Sequence, residues 1–476
     1  MMFKQSNRSG LPAPRRRVAR LSLACALAMT PLAGWSQAPA GPASVPAAAP
    51  AAAPLTLSQA YRAAMEQDAV IRTARAAADA RRERLPQARA QMLPNISASL
   101  ARNKNDLTST QPGLGAVPVT LDQKYMSGTR ALTLRQPIYR PFLIADYRQA
   151  EAQVAEANAV LDKEVQNVAV RVSGAYLEAL LAQDQLALVM VQKQTYTTHL
   201  DAARKRFAAG AGVRTDVDEA QAKLDMTLAL ELEARQNVDF TRRQLQVMVN
   251  MPVDQLAPLD ERKLELARPI PDRLEDWTER AELSSPDLRS LKAQRDAARH
   301  EIDKAKSGHL PTLDAIAQWS ISDSDNVTRV DTRYDNKTVG VQLNVPIFAG
   351  GYVNSQTRQA VANLERAQHA LESSRRDLGL RVEKEFRGIT EGVLRVRALE
   401  QAVRSAETMV QSSRRSFEGG NRTLLDILNA EEQRVIALRD LAQARYLYMV
   451  SRIRLRALAG EADAAVIDEI SAWLKP

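Results

Sequence analysis

The chain has 476 residues, of which 45% are hydrophobic, 25% charged and 4% aromatic, with one cysteine and a formal net charge of +9. That surplus of cations sits at one end: Lys4, Arg8, Arg15, Arg16, Arg17 and Arg20 precede any acidic residue, and taking six charges from +9 leaves about +3. A mature chain so nearly balanced, with both signs spread along it, reads as solvated helix faces and excludes a nucleic-acid partner.

The basic cluster is followed by an apolar run from Leu21 to Ala33, too short to span a bilayer, and by the small residues Gly34 and Ser36. We read residues 1–36 as a signal peptide cleaved just after Ser36. Cys25 lies in its apolar run, and Ser22, three positions earlier, breaks the lipoprotein pattern. The mature protein is therefore expected to lack cysteine, and with it disulfides and thiolate chemistry. Residues 37–54 are almost only Ala, Pro, Gly and Ser, a composition that forms a linker rather than a core. Thr56 or Ser58 can then cap a helix running from Gln59 to Arg84.

Two changes of hydrophobic period follow. Ile96, Ala98 and Leu100, then Leu132 and Leu134, alternate with polar residues and predict a β-hairpin over about 95–139, with a long loop from Asn103 to Ser127. Helical periodicity takes over from Phe142 to Ala209, without proline, at a length of roughly 100 Å. Gly210 and Gly212 supply a reversal into a second helix from Arg214 to Asn250. A proline-studded segment, 252–271, closes the first repeat, 55–251.

The second repeat, 272–460, copies the first. Arg148-Gln149-Ala150 recurs as Arg358-Gln359-Ala360, Leu161 as Leu371, Val172 as Val382, Tyr176 as Phe386 and Phe207 as Phe417, all displaced by about 210 residues. Its hairpin, about 312–347, is the clearer one. Leu313, Ala315, Ala317, Trp319 and Ile321 form one apolar face, and Val339, Val341, Leu343 and Val345 another, against Gln318, Gln342 and Asn344. Val382, Phe386, Ile389, Val393, Val396, Val403 and Val410 form a coiled-coil seam, and Gly419 and Gly420 make the second reversal. Residues 461–476 are left as a C-terminal equatorial segment.

The expected fold is mainly α with a membrane β-barrel part: long coiled-coil helices plus four strands per chain. Four strands cannot close a barrel, and an open edge is not tolerated in hydrocarbon, so several chains must contribute. The four histidines, His199, His300, His309 and His369, have no metal-ligand spacing, and no nucleophile motif or phosphate loop is present. Neither metal, cofactor nor enzymatic activity is expected. A periplasmic coiled-coil adaptor or structural protein is the alternative of a different class.

Three motifs carry a family resemblance. Arg206-Phe207-Ala208-Ala209-Gly210 leads into Thr215-Asp216-Val217, and Phe417-Glu418-Gly419-Gly420-Asn421-Arg422-Thr423 leads into Leu425-Asp426-Ile427-Leu428-Asn429-Ala430. With Val345-Pro346-Ile347-Phe348-Ala349-Gly350-Gly351, these resemble the TolC family from about Leu55 to Gly460. The resemblance implies a homotrimer with a twelve-stranded barrel in outer-membrane lipid, continued by a helical tunnel in the periplasm. It implies a periplasmic adaptor and an inner-membrane transporter of ABC or RND type, docking at tip turns made by Gly210, Gly212, Gly419 and Gly420. It also implies a gate in which Arg422 and the residue at Phe417 face Thr215 and Asp216, and a pore constriction at Asp426 and Asn429. The family's tyrosine is here Phe417, and its second constriction carboxylate is here Asn429. The runs Val353-Asn354-Ser355 and Leu424-Leu425-Asp426-Ile427-Leu428 point to the type I protein-secretion branch, with multidrug efflux as the alternative.

Overall fold

The computed structural model describes residues 54–112, 115, 118–324 and 332–475. The signal peptide, its cysteine and nearly all of the linker at 37–54 lie outside them.

Thr56 opens the first helix, α1 (Leu57–Gln67). Its hydroxyl accepts from the Gln59 N–H at 3.3 Å while the Gln59 side chain accepts from the Thr56 N–H at 3.0 Å, a reciprocal capping box. The single helix expected up to Arg84 is three: α1, α2 (Ala69–Arg82) and α3 (Arg84–Ala90). Asp68 makes the first break, because its buried carboxylate caps the N–H of Val70 at 3.1 Å and pairs with Arg171. The second falls at Glu83, where Pro86 follows closely and can be accommodated only in a first turn.

Four antiparallel strands lie in chain order: β1 (Asn95–Pro112), β2 (Pro118–Tyr139), β3 (Thr312–Ser324) and β4 (Thr332–Asn344). The loop expected from Asn103 to Ser127 is instead paired, with β1 and β2 in register as far as Pro112 and Pro118. Polar side chains join across the pair: Asn105 to Ser127 at 2.8 Å, Thr108 to Asp122 at 2.6 Å and Thr110 with Thr120 at 3.1 Å. Apolar alternation marks a strand only where one face meets an apolar medium, so this extension gave no such signal.

Between the strands run α4 (Pro141–Ala208), α5 (Arg214–Val249), α6 (Leu274–Ser284) and α7 (Pro286–Lys306); after them come α8 (Tyr352–Glu418), α9 (Leu424–Leu458) and α10 (Ala464–Ser471). With 68 and 67 residues, α4 and α8 are rods of about 100 Å. Pro141 starts α4, where its missing N–H costs nothing, and α8 follows Gly350 and Gly351 at φ 59° and 80°, the left-handed region. Shorter helices flank each rod: α1, α2, α3 and α5 pack on α4, and α6, α7 and α9 on α8. Helix α7 also packs on α4, joining the two repeats. The predicted seam is buried at Val382, Ile389, Val393, Val396, Val403 and Val410.

The main core gathers Leu57, Tyr176, Leu245, Trp277, Ile389 and Tyr448 with the segment between the repeats and the C-terminal residues. Tyr176 donates to the Leu55 carbonyl at 2.8 Å and accepts from the Ala257 N–H at 3.1 Å. Tyr448 does the same further on, accepting from the Ala267 N–H at 3.1 Å and donating to its carbonyl at 2.9 Å. Leu55 bridges Leu256 and Leu474 bridges Leu259, so both ends of the described chain are stitched to the inter-repeat segment. Where sheet meets helices, the buried Asp314 of β3 takes Arg135 at 2.6 Å and Arg140 at 2.7 Å, tying the β2-to-α4 junction to the second hairpin.

Candidate gate and pore constriction

Both reversals use the same local chemistry. After α4, the N–H of Ala211 bonds the Arg206 carbonyl at 2.9 Å and that of Gly210 the Phe207 carbonyl at 3.0 Å. After α8, Asn421 bonds Ser416 and Gly420 bonds Phe417, each at 2.9 Å. These are Schellman caps, with Gly210 at φ 72° and Gly420 at φ 77° in the left-handed position that a side chain resists. Gly212 is needed for another reason: a Cβ there would stand 3.1 Å from the Arg206 Cβ and the Phe207 nitrogen. Gly419 has neither demand on it, with φ −79° and no close neighbour.

The helix starts differ. Thr423 caps α9 in a reciprocal box: its hydroxyl accepts from the Asp426 N–H at 3.4 Å, and the Asp426 carboxylate accepts from the Thr423 N–H at 2.9 Å. That N–H, the Thr423 hydroxyl and the charge of Arg422 hold the Asp426 carboxyl below its ordinary range. Asn429 stands exposed one turn on, on the same side of the helix. In the first repeat the capping position is Val213, which offers no side-chain oxygen. Asp216, half-buried, and Thr215, exposed, therefore make no side-chain bond among the described residues.

The tips are held together by an apolar cluster of Tyr196, Leu200, Ala203, Ala220, Leu424, Ile427 and Leu428, with Phe417 at its edge. The Arg206 guanidinium lies 4.8 Å from the centre of the Phe417 ring, a cation–π contact between the repeats. Lys223 reaches Glu432 at 2.6 Å. Arg422 turns back along its own repeat and donates to the buried Ser413 hydroxyl at 2.9 Å. Within one chain it thus does not meet Thr215 or Asp216. Beneath the tip a groove of about 360 Å³ is lined by Thr195, His199, Arg206, Arg414 and Phe417. Burial, then the positive charge of Arg414, push the His199 pKa below 6.5, with Glu431 opposing.

The Lys223–Glu432 bond and the Arg206–Phe417 contact had no sequence signal, since each joins helices of different repeats; the Arg422–Ser413 bond, although only nine residues apart, matches no capping or periodic pattern. The box at Thr423 and Asp426 was legible as a threonine followed three residues later by an acid.

A family model described as outer membrane efflux protein matches residues 60–250 and 277–461. The chain belongs to the outer membrane efflux protein family. The two matched blocks fall one on each repeat. Among efflux-protein relatives, alkaline protease secretion protein AprF of Pseudomonas aeruginosa is 33% identical over 423 residues, covering 88% of this chain and 87% of that protein. Outer membrane protein TolC of Escherichia coli is 30% identical over 420 residues, covering 85% and 82%. The fold matches the solved outer membrane channel CmeC of Campylobacter jejuni, with a TM-score of 0.74 at 14% identity over 88% of this chain and 90% of that one. The protein is thus a TolC-family protein of the outer membrane, with a helical part of the kind that reaches into the periplasm. Among the described residues no helix is long and apolar enough to cross a membrane.

Proposed function

We propose that this efflux-family protein is the outer-membrane exit duct of a tripartite export machine, working as a homotrimer with a periplasmic adaptor and an inner-membrane transporter. The observation that carries the proposal is one chain holding a four-stranded sheet with a single apolar face above rods of about 100 Å. Strands β1 and β4 each leave an edge that must be paired in hydrocarbon, and three chains give the twelve strands of a closed barrel. The protein catalyses nothing: its chemistry is to provide a polar bore.

Type I protein secretion is the favoured branch. The relatives named for protease secretion, AprF and PrtF of Dickeya chrysanthemi, are 33% and 30% identical over 88% of this chain. An ABC transporter is the matching inner-membrane partner.

The gate proposal rests on unspent groups at the tip. Among the described residues Asp216 and Thr215 have no side-chain hydrogen-bond partner, and Arg422, exposed on the opposite repeat, makes its side-chain hydrogen bond to Ser413. A neighbouring chain's Arg422 fork can take both oxygens and hold the entrance shut. Asp426 and Asn429 would ring the bore just inside.

The deciding experiment is reconstitution in cells lacking their own exit ducts, with an ABC transporter, its adaptor and a secreted protease. Protease in the medium is the expected result. Restored drug resistance without protease export would shift the assignment to multidrug efflux, and a soluble periplasmic protein without conductance would leave only an adaptor or structural role.

A further inference from the structure

The register of the sheet sorts every described strand residue onto one of two faces. Pairing places Ile96, Ala98 and Leu100 of β1, Leu132 and Leu134 of β2, Ala317, Trp319 and Ile321 of β3, and Val339, Val341 and Leu343 of β4 on one face. Most of those side chains stand in the open, Val339 at 86% and Leu100 at 79% exposure, with Leu134, Ala317 and Ile321 half-buried. The other face is Ser97, Ser99, Thr133, Gln318, Gln342 and their like.

Following the apolar face away from the helices, each strand changes character at one step. Leu100 gives way to Arg102, Leu132 to Arg130 and Val339 to Lys337; only on β3, where Ile321 gives way to Asp323, is the first charge an acid. Lys104 and Arg333 lie further along the same face, and Lys124 faces Asp106 there at 3.4 Å. Of the acids on this face, Asp106 holds Lys124, Asp122 accepts from Thr108, and Asp335 accepts from Trp319 at 2.9 Å; Asp323 leans over Gly128, whose absent Cβ would be 2.8 Å from it. Arg102, Lys104, Arg130, Arg333 and Lys337 are left exposed with no ion pair among the described residues. Arg130 is the clearest case, being on an inner strand with the apolar Leu100 and Ile321 directly across on either side.

We infer that these cations form a collar that binds the phosphorylated headgroups of outer-leaflet lipid. A barrel strand needs nothing charged where acyl chains end, yet three of four strands place a cation there and leave it unpaired. Long basic side chains at that depth can lay their stems along acyl chains and raise their charge to the headgroup level. A phosphate presents oxygens that fit a guanidinium fork, and among the described residues the face carries six cations to four carboxylates, three of them already engaged. The luminal face at the same rows has Thr129, Ala131, Ser320 and Ser322, so the charge is confined to the lipid side. This reading rests on assigning the apolar face to lipid.

The test compares the assembled full-length channel with an R102S/R130S/K337S variant in phosphatidylcholine vesicles, with and without lipid A as the phosphorylated probe. Thermal dissociation of the oligomer is read by electrophoresis. Lipid A should shift the parent's midpoint up by several degrees and the variant's by less than half as much. Equal shifts in both, or none in the parent, would overturn the collar. So would the same gain from inorganic phosphate in solution, because the site would then take a free anion and not a lipid. If the triple variant does not assemble, Arg130→Gln against Arg130→Lys makes the same comparison, with only the lysine variant expected to keep the shift. Single-channel conductance equal to the parent's in either variant shows that the channel reading stands whatever the lipid result.

Discussion

At the residue scale, the tip is governed by which polar groups are already spent inside one chain. Asp426 is committed to its own helix cap, whereas among the described residues Asp216 makes no side-chain bond, because Val213 stands where Thr423 stands in the other repeat. The proposed link from Arg422 to Asp216 of a neighbouring chain would contribute about 1 kcal/mol at most, and about three times that if three chains assemble. Arg422→Ser is expected to raise resting conductance in planar bilayers and antibiotic leakage in cells. Phe417→Tyr, which keeps the ring under Arg206 and adds a hydroxyl donor, is expected to lower both; conductance unchanged in both variants would place the closing bonds elsewhere. Asp426→Asn removes the one carboxylate of the proposed ring, so the reversal potential under a salt gradient should move toward zero; Asn429→Asp should move it the other way. His199 makes one contribution to the pH dependence. Its folded pKa lies below 6.5, so well above pH 6.5 both states are neutral and it has no effect. As pH falls below 6.5 the unfolded chain takes up the proton first, and stability is lost until the folded pKa is reached. Thermal midpoints measured from pH 7.5 to 5 should fall less steeply in His199→Gln than in the parent.

At the element scale, the sheet shows how one strand can hold two environments. Val341, paired with Ala315 on the apolar face, should tolerate arginine poorly, at a cost of about 2–4 kcal/mol near the bilayer midplane, while Gln342→Arg on the other face should cost little. The yield of heat-resistant oligomer from the two variants decides this, and equal yields would remove the face assignment. The helices show the converse: Gln59 to Arg84 reads as one amphipathic run, yet Asp68 ends it by capping and by pairing with Arg171 on the rod it packs against. The pattern that marks a helix gives no weight to a single aspartate whose partner is distant in sequence.

At the scale of the whole molecule, the two repeats and the two ends of the described chain meet in one belt. Asp260 bonds the Trp473 carbonyl at 2.9 Å, Lys475 bonds the Pro258 carbonyl at 2.8 Å, and the Trp473 ring stacks on Tyr448 at 6.4 Å. Removing residues 473–476 should therefore loosen the inter-repeat segment from both rods and reduce the amount of assembled oligomer in outer-membrane fractions. Undiminished oligomer would show that Tyr176 and Tyr448 hold the belt alone.

The sequence by itself determined the repeat, the four strands, the two rods and both glycine reversals. The repeat is written in residues that recur at one offset, and the rest in local periodicity, proline spacing or a glycine that must take a left-handed conformation; such signals survive without knowledge of neighbours. It also marked Arg422, Asp216 and Asp426 by motif. Only the tertiary structure decided that β1 and β2 stay paired to Pro112 and Pro118, that Arg422 bonds Ser413 within its chain, and that Arg206 covers the Phe417 ring. Those outcomes depend on pairing between segments whose side chains are polar or far apart, where no period exists to be read and the partner is chosen by how the rods and strands are brought together.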